Sequence, residues 1–290
     1  MHMTHYELID SGDGEKLERF GGIVVRRPDP EVLWHKSADI QIWQAANLSF
    51  DRVDSKTGVW HGKVPESWDI EHGGIHFHIR PTSFKHVGIF PEQVINWSFI
   101  EKTIEKTIAD RGEEYHPSVL NLFAYTGGAT IAAAKAGAQV THVDASKPVI
   151  EWAKENAALN GLVDAPIRYI VDDALAFAKR EVKRGKKYDG IIMDPPAFGR
   201  GPDGETWKIE EHFLELFDAC LELVNEEDGG PLFFIISGYA SGYSALAFGN
   251  ALKVLEEKYG GGVETLELIL KESSSRYASL PAGVTARWSK

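Results

Sequence analysis

Four short clusters combine residue types and spacings that could do chemistry. In the first, Asn121-Leu122-Phe123-Ala124-Tyr125-Thr126-Gly127-Gly128-Ala129-Thr130, an apolar run passes through paired glycines into a small-residue helical pattern. Glycines there permit positive φ and let a ligand approach the backbone, while the helix N-terminus offers N–H donors. The combination suits a nucleoside cofactor. It lacks the third glycine of G-x-G-x-x-G, which speaks against a pyrophosphate cradle.

The second cluster is Val140-Thr141-His142-Val143-Asp144, whose carboxylate lies 17 residues past Gly127. That is near the offset of roughly 20 residues at which an acidic group in such folds accepts from ribose hydroxyls. Asp144 could instead cap the helix beginning near Pro148, but Ser146 in Asp144-Ala145-Ser146-Lys147-Pro148 is the better cap, so the ribose role is assigned to Asp144. The third cluster, Val171-Asp172-Asp173-Ala174, again puts acid at the end of an apolar run. One of its aspartates can accept from the exocyclic amine of adenine; Asp173 is expected there, with Asp172 capping the next helix. Acidic pairs also open helices for structural reasons alone, so spacing leaves both readings open.

The fourth cluster is Asp194-Pro195-Pro196-Ala197-Phe198 after the run Gly190-Ile191-Ile192-Met193. Two consecutive prolines remove two backbone donors and fix φ, which holds the Asp194 and Pro195 carbonyls as rigid acceptors suited to a substrate amine. Phe198 adds a face on which a flat base can stack.

These clusters need a scaffold that delivers them to one edge. From Ser118 onward apolar strands alternate with helical patterns: strands at Val119 to Phe123, Val140 to Val143, Ile167 to Val171, Gly190 to Met193 and Leu232 to Ile236, and helices at Ala129 to Ala136, Pro148 to Leu159, Ala174 to Lys183 and Glu210 to Val224. Short buried strands separated by helices predict a doubly wound α/β fold, a parallel sheet covered on both faces. Ligands of such sheets bind beyond the carboxyl ends of the strands, where all four clusters fall. Upstream, short apolar stretches are broken by Gly12-Asp13-Gly14, Gly21-Gly22, Arg27-Pro28-Asp29-Pro30 and His72-Gly73-Gly74. This texture predicts a small β-rich domain, with strand-like alternation in Ile75 to Ile79 and around Ile40 to Trp43. Phe90-Pro91-Glu92-Gln93 then opens a helix, its proline at the first helical position. The expected division is an accessory domain at 1–88 and a Rossmann-like domain at 89–290.

With 290 residues, 43% hydrophobic and 26% charged, the chain can build a sizeable core, and no apolar run approaches the roughly 20 residues of a membrane span. The start Met1-His2-Met3-Thr4-His5 lacks a signal-peptide pattern, so the cytoplasm is the expected location. One cysteine, Cys220, excludes an internal disulfide, and no Cys/His spacing suits zinc, so no metal is expected. The formal charge of −12 argues against broad electrostatic binding of nucleic acid, so any RNA contact should be local. The basic run Lys179 to Lys187 closes a predicted helix, where cations favour the helix dipole and are solvated.

Taken in order, Asn121 to Gly127, Val143-Asp144-Ala145-Ser146-Lys147, Asp172-Asp173-Ala174 and Asp194-Pro195-Pro196-Ala197-Phe198 resemble class I S-adenosylmethionine-dependent methyltransferases. The branch most similar is that of the ribosomal RNA base methyltransferases with the 23S cytosine-5 enzymes, and the likeness covers about Phe90 to Trp288. It implies a Rossmann-like fold, S-adenosyl-L-methionine as cofactor and RNA as partner. It also implies a cofactor set of Gln93, Asn121, Phe123, Tyr125, Thr126, Gly127, Asp144, Ala145, Ser146, Asp172, Asp173 and Ala174, and a catalytic set of Asp194, Pro195, Pro196 and Phe198. Gln93 enters by this match alone, from a segment that in the branch lies over the methionine half of the cofactor.

The sequence also departs from that branch. Cytosine-5 chemistry needs a cysteine nucleophile after the fifth strand, where this chain reads Ile236-Ser237-Gly238-Tyr239-Ala240-Ser241. Cys220 sits on a helical pattern instead, as a small buried hydrophobe would. The usual lysine after the prolines is Ala197, and the usual N-terminal RNA-binding module is not recognisable. Transfer to a base nitrogen is therefore expected. The alternatives are a small molecule or protein side chain as acceptor, favoured by the acidic charge, and a nicotinamide-dependent oxidoreductase, which lacks its pyrophosphate cradle here. A basic surface beside Phe198 would favour RNA.

Overall fold

The structure, a computed structural model, describes residues 5–53, 57–227, 230–239, 242–274, 276 and 278–290. The chain forms two compact units, Met1–Val94 with Leu268–Ala282, and Ile95–Glu267 with Gly283–Lys290. Nothing local in the sequence marks residues 268–282 as belonging with the N-terminal region, since the grouping rests on pairing between distant segments.

In the first unit, β1 (Tyr6–Gly12), β2 (Glu15–Phe20) and β3 (Ile23–Pro28) run antiparallel through glycine turns. After α1 (Ile40–Gln44) come β4 (Leu48–Arg52), parallel to β3, and β5 (Gly58–Gly62), giving a five-stranded sheet in sequence order. The hairpin β6 (Trp68–His72) and β7 (Ile75–Ile79) turns at Gly73 and Gly74, both at positive φ. The alternation around Ile40 to Trp43 does not make a strand. Asp39 caps a short helix there by accepting from the Gln41 N–H, and five residues are too few to separate a period of two from one of 3.6. Between the strands Arg27 grips Glu18 through Nε at 2.7 Å and Nη2 at 2.8 Å, and Lys16 lies 3.1 Å from Asp29, so these buried charges are paired as burial demands.

A 3₁₀ turn, Pro91–Gln93, has its proline in the expected first position and runs into α2 (Val94–Arg111). The second unit continues with β8 (Ser118–Leu122), α3 (Gly128–Lys135), β9 (Gln139–Asp144), α4 (Lys147–Leu159), β10 (Ile167–Val171), α5 (Ala174–Lys183) and β11 (Gly190–Met193). A small hairpin follows, β12 (Phe198–Arg200) and β13 (Thr206–Lys208), then α6 (Ile209–Glu222), β14 (Phe233–Gly238) and α7 (Ala245–Tyr259); β15 (Gly262–Lys271) and β16 (Ser279–Ser289) each belong in part to the second unit and in part, at residues 268–282, to the first. The sheet order is β10-β9-β8-β11-β14-β16-β15, with β8 to β11 and β14 parallel and β16 antiparallel to β14.

Side chains alternate between two cores. Leu120, Leu122, Met193, Phe234 and Ile236 pack with Phe177 of α5, Cys220 of α6 and Leu252 of α7. Val119, Ile192, Phe233 and Ile235 pack with Ile100 of α2 and Ala133 of α3. Helices on both faces explain why these strands are predominantly apolar rather than alternating, and the doubly wound expectation holds. Strand order reverses between β8 and β11, which places the ligand crevice of such a sheet at their carboxyl ends. α7, β15 and β16 were not anticipated; Ser279-Leu280-Pro281-Ala282-Gly283 carries no strand-like alternation. Among the described residues no helix is long and apolar enough to cross a membrane.

Candidate functional site

Between β8 and α3 every second residue adopts a left-handed backbone: Phe123 at φ 56°, Tyr125 at 50° and Gly127 at 90°. For the two non-glycine residues this costs about 1–2 kcal/mol each, and such strain persists where surrounding contacts enforce it. Here they are identifiable. Ala124 N–H donates to the Val143 carbonyl at 3.0 Å, Tyr125 N–H to Asp144 Oδ2 at 3.0 Å, and Gly127 N–H to the Ala124 carbonyl at 3.1 Å. The buried Asn156 amide donates to the Thr126 carbonyl at 2.9 Å. Gly127 caps α3 in a left-handed conformation, and as a glycine it brings no side chain to the first N–H groups of the helix. Gly128 is needed for a different reason: a Cβ there would stand 2.7 Å from the Trp97 ring.

A buried polar chain lies beneath this loop. Asn121 Nδ2 donates to Thr130 Oγ1 at 2.9 Å, and Thr130 Oγ1 lies 2.8 Å from His142 Nδ1. Burial pushes the imidazole down to about 3, so it is neutral. Thr130 Oγ1 and the neutral His142 Nδ1 share one proton, with donor and acceptor set by the imidazole tautomer. Asn121 thus supports the loop from the strand below.

Asp144 ends β9 with both oxygens engaged, Oδ2 by Tyr125 N–H and Oδ1 by Ser146 N–H at 2.9 Å. Burial raises its pKa, and those two donors oppose the rise. Each carboxylate oxygen has a further lone pair, so two hydroxyl donors can still be received. Ser146 occupies the N-cap of α4, but its side chain makes no capping bond. At the end of β10 the capping role falls to Asp173 and not, as expected, to Asp172. Asp173 caps α5, its Oδ1 accepting from Ala176 N–H at 2.8 Å, because the helix begins at Ala174 and leaves Asp173 in the capping position. Asp172 is ion-paired with Arg180, and its N–H donates to the Asp144 carbonyl at 3.1 Å.

Asp194 follows β11, its N–H 3.4 Å from the Leu122 carbonyl, at the same carboxyl edge as Phe123. Burial pushes its carboxyl up to about 6. The Pro196 carbonyl accepts from Trp207 Nε1 at 2.7 Å and the Ala197 carbonyl from Ile209 N–H at 3.1 Å, so the hairpin β12–β13 holds the loop in place. Trp207 is itself wedged between Phe123, ring centroids 5.0 Å apart, and His212 at 5.7 Å. Phe198 presents a ring 50% exposed. Trp207, Asn156 and His142 were not singled out from sequence, since each acts through a contact between elements that has no local pattern.

Gln93 ends the 3₁₀ turn and belongs to the other compact unit. Ala145 and Ala174 flank Asp144 and Asp173 at the edge, and Ala240 and Ser241 lie outside the described residues. The basic run is taken up locally: Lys179 pairs with Glu215, Arg180 with Asp172, Arg184 with Glu181, and Lys187 donates to the Glu222 carbonyl. Cys220 is fully buried on α6, and burial raises its thiol pKa far above the ordinary value. Cys220→Ser is expected to keep methyl-transfer activity within about twofold of the parent protein while losing some thermal stability, because a hydroxyl replaces a buried apolar group. An inactive variant that still folds and binds cofactor would point to covalent catalysis instead.

With this geometry stand several similarities. A family model of S-adenosylmethionine-dependent methyltransferases matches residues 40–246. A ribosomal RNA large subunit methyltransferase K/L of Methylococcus capsulatus is 35% identical over 237 residues, 81% of this chain and 30% of the relative. A ribosomal RNA large subunit methyltransferase I of Aeromonas salmonicida is 32% identical over 171 residues, 58% of this chain and 39% of the relative. The chain spans less than half the length of the curated relatives it matches. The crystal structure of a SAM-dependent methyltransferase from Agrobacterium tumefaciens superposes with a TM-score of 0.90 at 37% identity, covering 98% of this chain and 90% of that one.

Proposed function

This chain belongs to the S-adenosylmethionine-dependent methyltransferase family, and from that premise we propose that it methylates a nitrogen of an RNA base. Support for RNA comes from relatives whose names specify ribosomal RNA of the large subunit. The observation that carries the nitrogen assignment is Asp194, a carboxylate at the carboxyl end of β11 whose pKa burial pushes up to about 6, followed by two prolines and the exposed Phe198 ring. The one cysteine is sealed in the core, which leaves no thiol to attack a pyrimidine ring.

In this reading Asp144 receives the ribose hydroxyls, Asp173 the adenine amine, and Ala145, Ser146 and Ala174 border the nucleoside. The loop from Phe123 to Gly127 shapes the other half of the cradle. The bound cofactor supplies an activated methyl group on its sulfonium. Phe198 stacks the target base, and ionised Asp194 with the Pro195 carbonyl aligns the amine so that its lone pair faces the methyl carbon. Such orientation is the main source of rate, worth up to about 7–11 kcal/mol in well-aligned systems. As the nitrogen gains the methyl group it sheds a proton, and a carboxylate with a pKa near 6 can take it and pass it to solvent.

The raised Asp194 value gives a pH test. kcat/KM for the acceptor should fall tenfold per pH unit below about pH 6, and Asp194→Asn should lack this acid limb. The folded state holds the Asp194 proton more tightly than the unfolded chain, so burying its charge weakens the native state as pH rises from about 4 through 6. Asp194→Asn should accordingly melt higher than the parent above pH 6, with the gain fading toward pH 4. A flat activity profile across pH 5 to 7 would remove Asp194 from the proton's path.

A further inference from the structure

The hairpin β12–β13 is more than a brace. Along β12 the side chains alternate, with exposed Phe198, inward Gly199 and exposed Arg200. A Cβ on Gly199 would lie 3.4 Å from Pro196 Cγ and 3.6 Å from Trp207 Cβ, so its face is packed down on the reaction loop. Residues two apart on a strand share a face about 6.5 Å apart. Phe198 and Arg200 therefore project together, with the guanidinium 6.0 Å from the ring centroid. Among the described residues Arg200 makes no ion pair, whereas Arg180, Arg184 and Arg287 of the same unit each hold a carboxylate. In a chain of charge −12, an exposed aromatic ring beside a guanidinium that makes no ion pair among the described residues is a local feature of this hairpin.

We infer that Phe198 and Arg200 form a nucleotide platform: a base of single-stranded RNA lies on the Phe198 ring while Arg200 holds a phosphate of the same strand. This rests on the RNA-base reading of the neighbouring Asp194 site. A flat ring alone would serve any planar acceptor, but the guanidinium at strand spacing adds an anion subsite that suits a nucleotide and not an uncharged metabolite. The hydrogen bond from Trp207 to Pro196 ties the platform to Asp194, so a base seated on Phe198 is held in register with the reaction loop.

The test measures binding of a labelled, mixed-sequence, single-stranded RNA to the full chain in the presence of S-adenosylhomocysteine across a salt series. Arg200→Ala should weaken binding at least tenfold at low salt and flatten the slope of log K against log salt by about 0.7, the value for one lost phosphate contact on a single strand. Arg200→Lys should restore most of the slope, and Phe198→Ala should lower affinity with the slope unchanged. S-adenosylmethionine affinity should stay constant in all three variants, which confirms that they fold. If the parent protein binds RNA and Arg200→Ala matches its affinity and slope, the platform is refuted while the RNA reading stands. If the parent binds S-adenosylmethionine but no RNA, both are refuted.

Discussion

Replacing Asp144 with alanine is expected to weaken S-adenosylmethionine binding by at least about 100-fold, measured by calorimetric titration. In the proposed site the carboxylate receives two ribose hydroxyls, and charge-assisted hydrogen bonds of this kind contribute about 1.5–3 kcal/mol each. A second effect acts in the same direction. Asp144 pins the left-handed Tyr125 through its N–H, so its loss frees a strained loop to leave the binding conformation. The fold itself should survive, because burial already disfavours the charge at this position and alanine removes that penalty. Affinity within a few-fold of the parent would return Asp144 to a purely structural role in the turn before α4.

Asp194→Ala is expected to lower kcat by about 100-fold or more with cofactor affinity nearly unchanged. An aligning contact made to the acceptor and strengthened as the nitrogen becomes cationic acts on the transition state, and 100-fold corresponds to about 2.7 kcal/mol. Steady-state kinetics beside a cofactor titration separates the outcomes. Loss of cofactor binding would place Asp194 in the cofactor pocket. An unchanged kcat would remove the carboxylate from the reaction.

Much of this was legible in the sequence because it is written in local patterns. Ile167–Val171, Ala174–Lys183 and Gly190–Met193 have the boundaries their periodicity indicates, and the acidic residues fall at strand ends as a parallel sheet requires. Period and turn chemistry concern neighbours within a few residues. What depends on distant contacts was not legible: the return of residues 268–282 to the N-terminal unit, the Trp207 bond to Pro196, and the chain from Asn121 through Thr130 to His142. Asp172 and Asp173 show the limit within one dipeptide. Both can cap a helix, and the reach of Arg180 to Asp172 is a side-chain event that spacing alone does not resolve. The left-handed Phe123 and Tyr125 are likewise silent in sequence, since bulky residues give no sign of positive φ.

The central claim is transfer of a methyl group to a nitrogen of an RNA base. The most direct measurement incubates the chain with S-adenosylmethionine carrying an isotopically labelled methyl group and unmodified ribosomal RNA, digests the RNA to nucleosides and identifies the labelled product by mass spectrometry. Label on a nitrogen-methylated nucleoside, absent from the same reaction run with Asp194→Ala, is the predicted result. Label on 5-methylcytidine, or none in RNA from a protein that binds the cofactor, would contradict it.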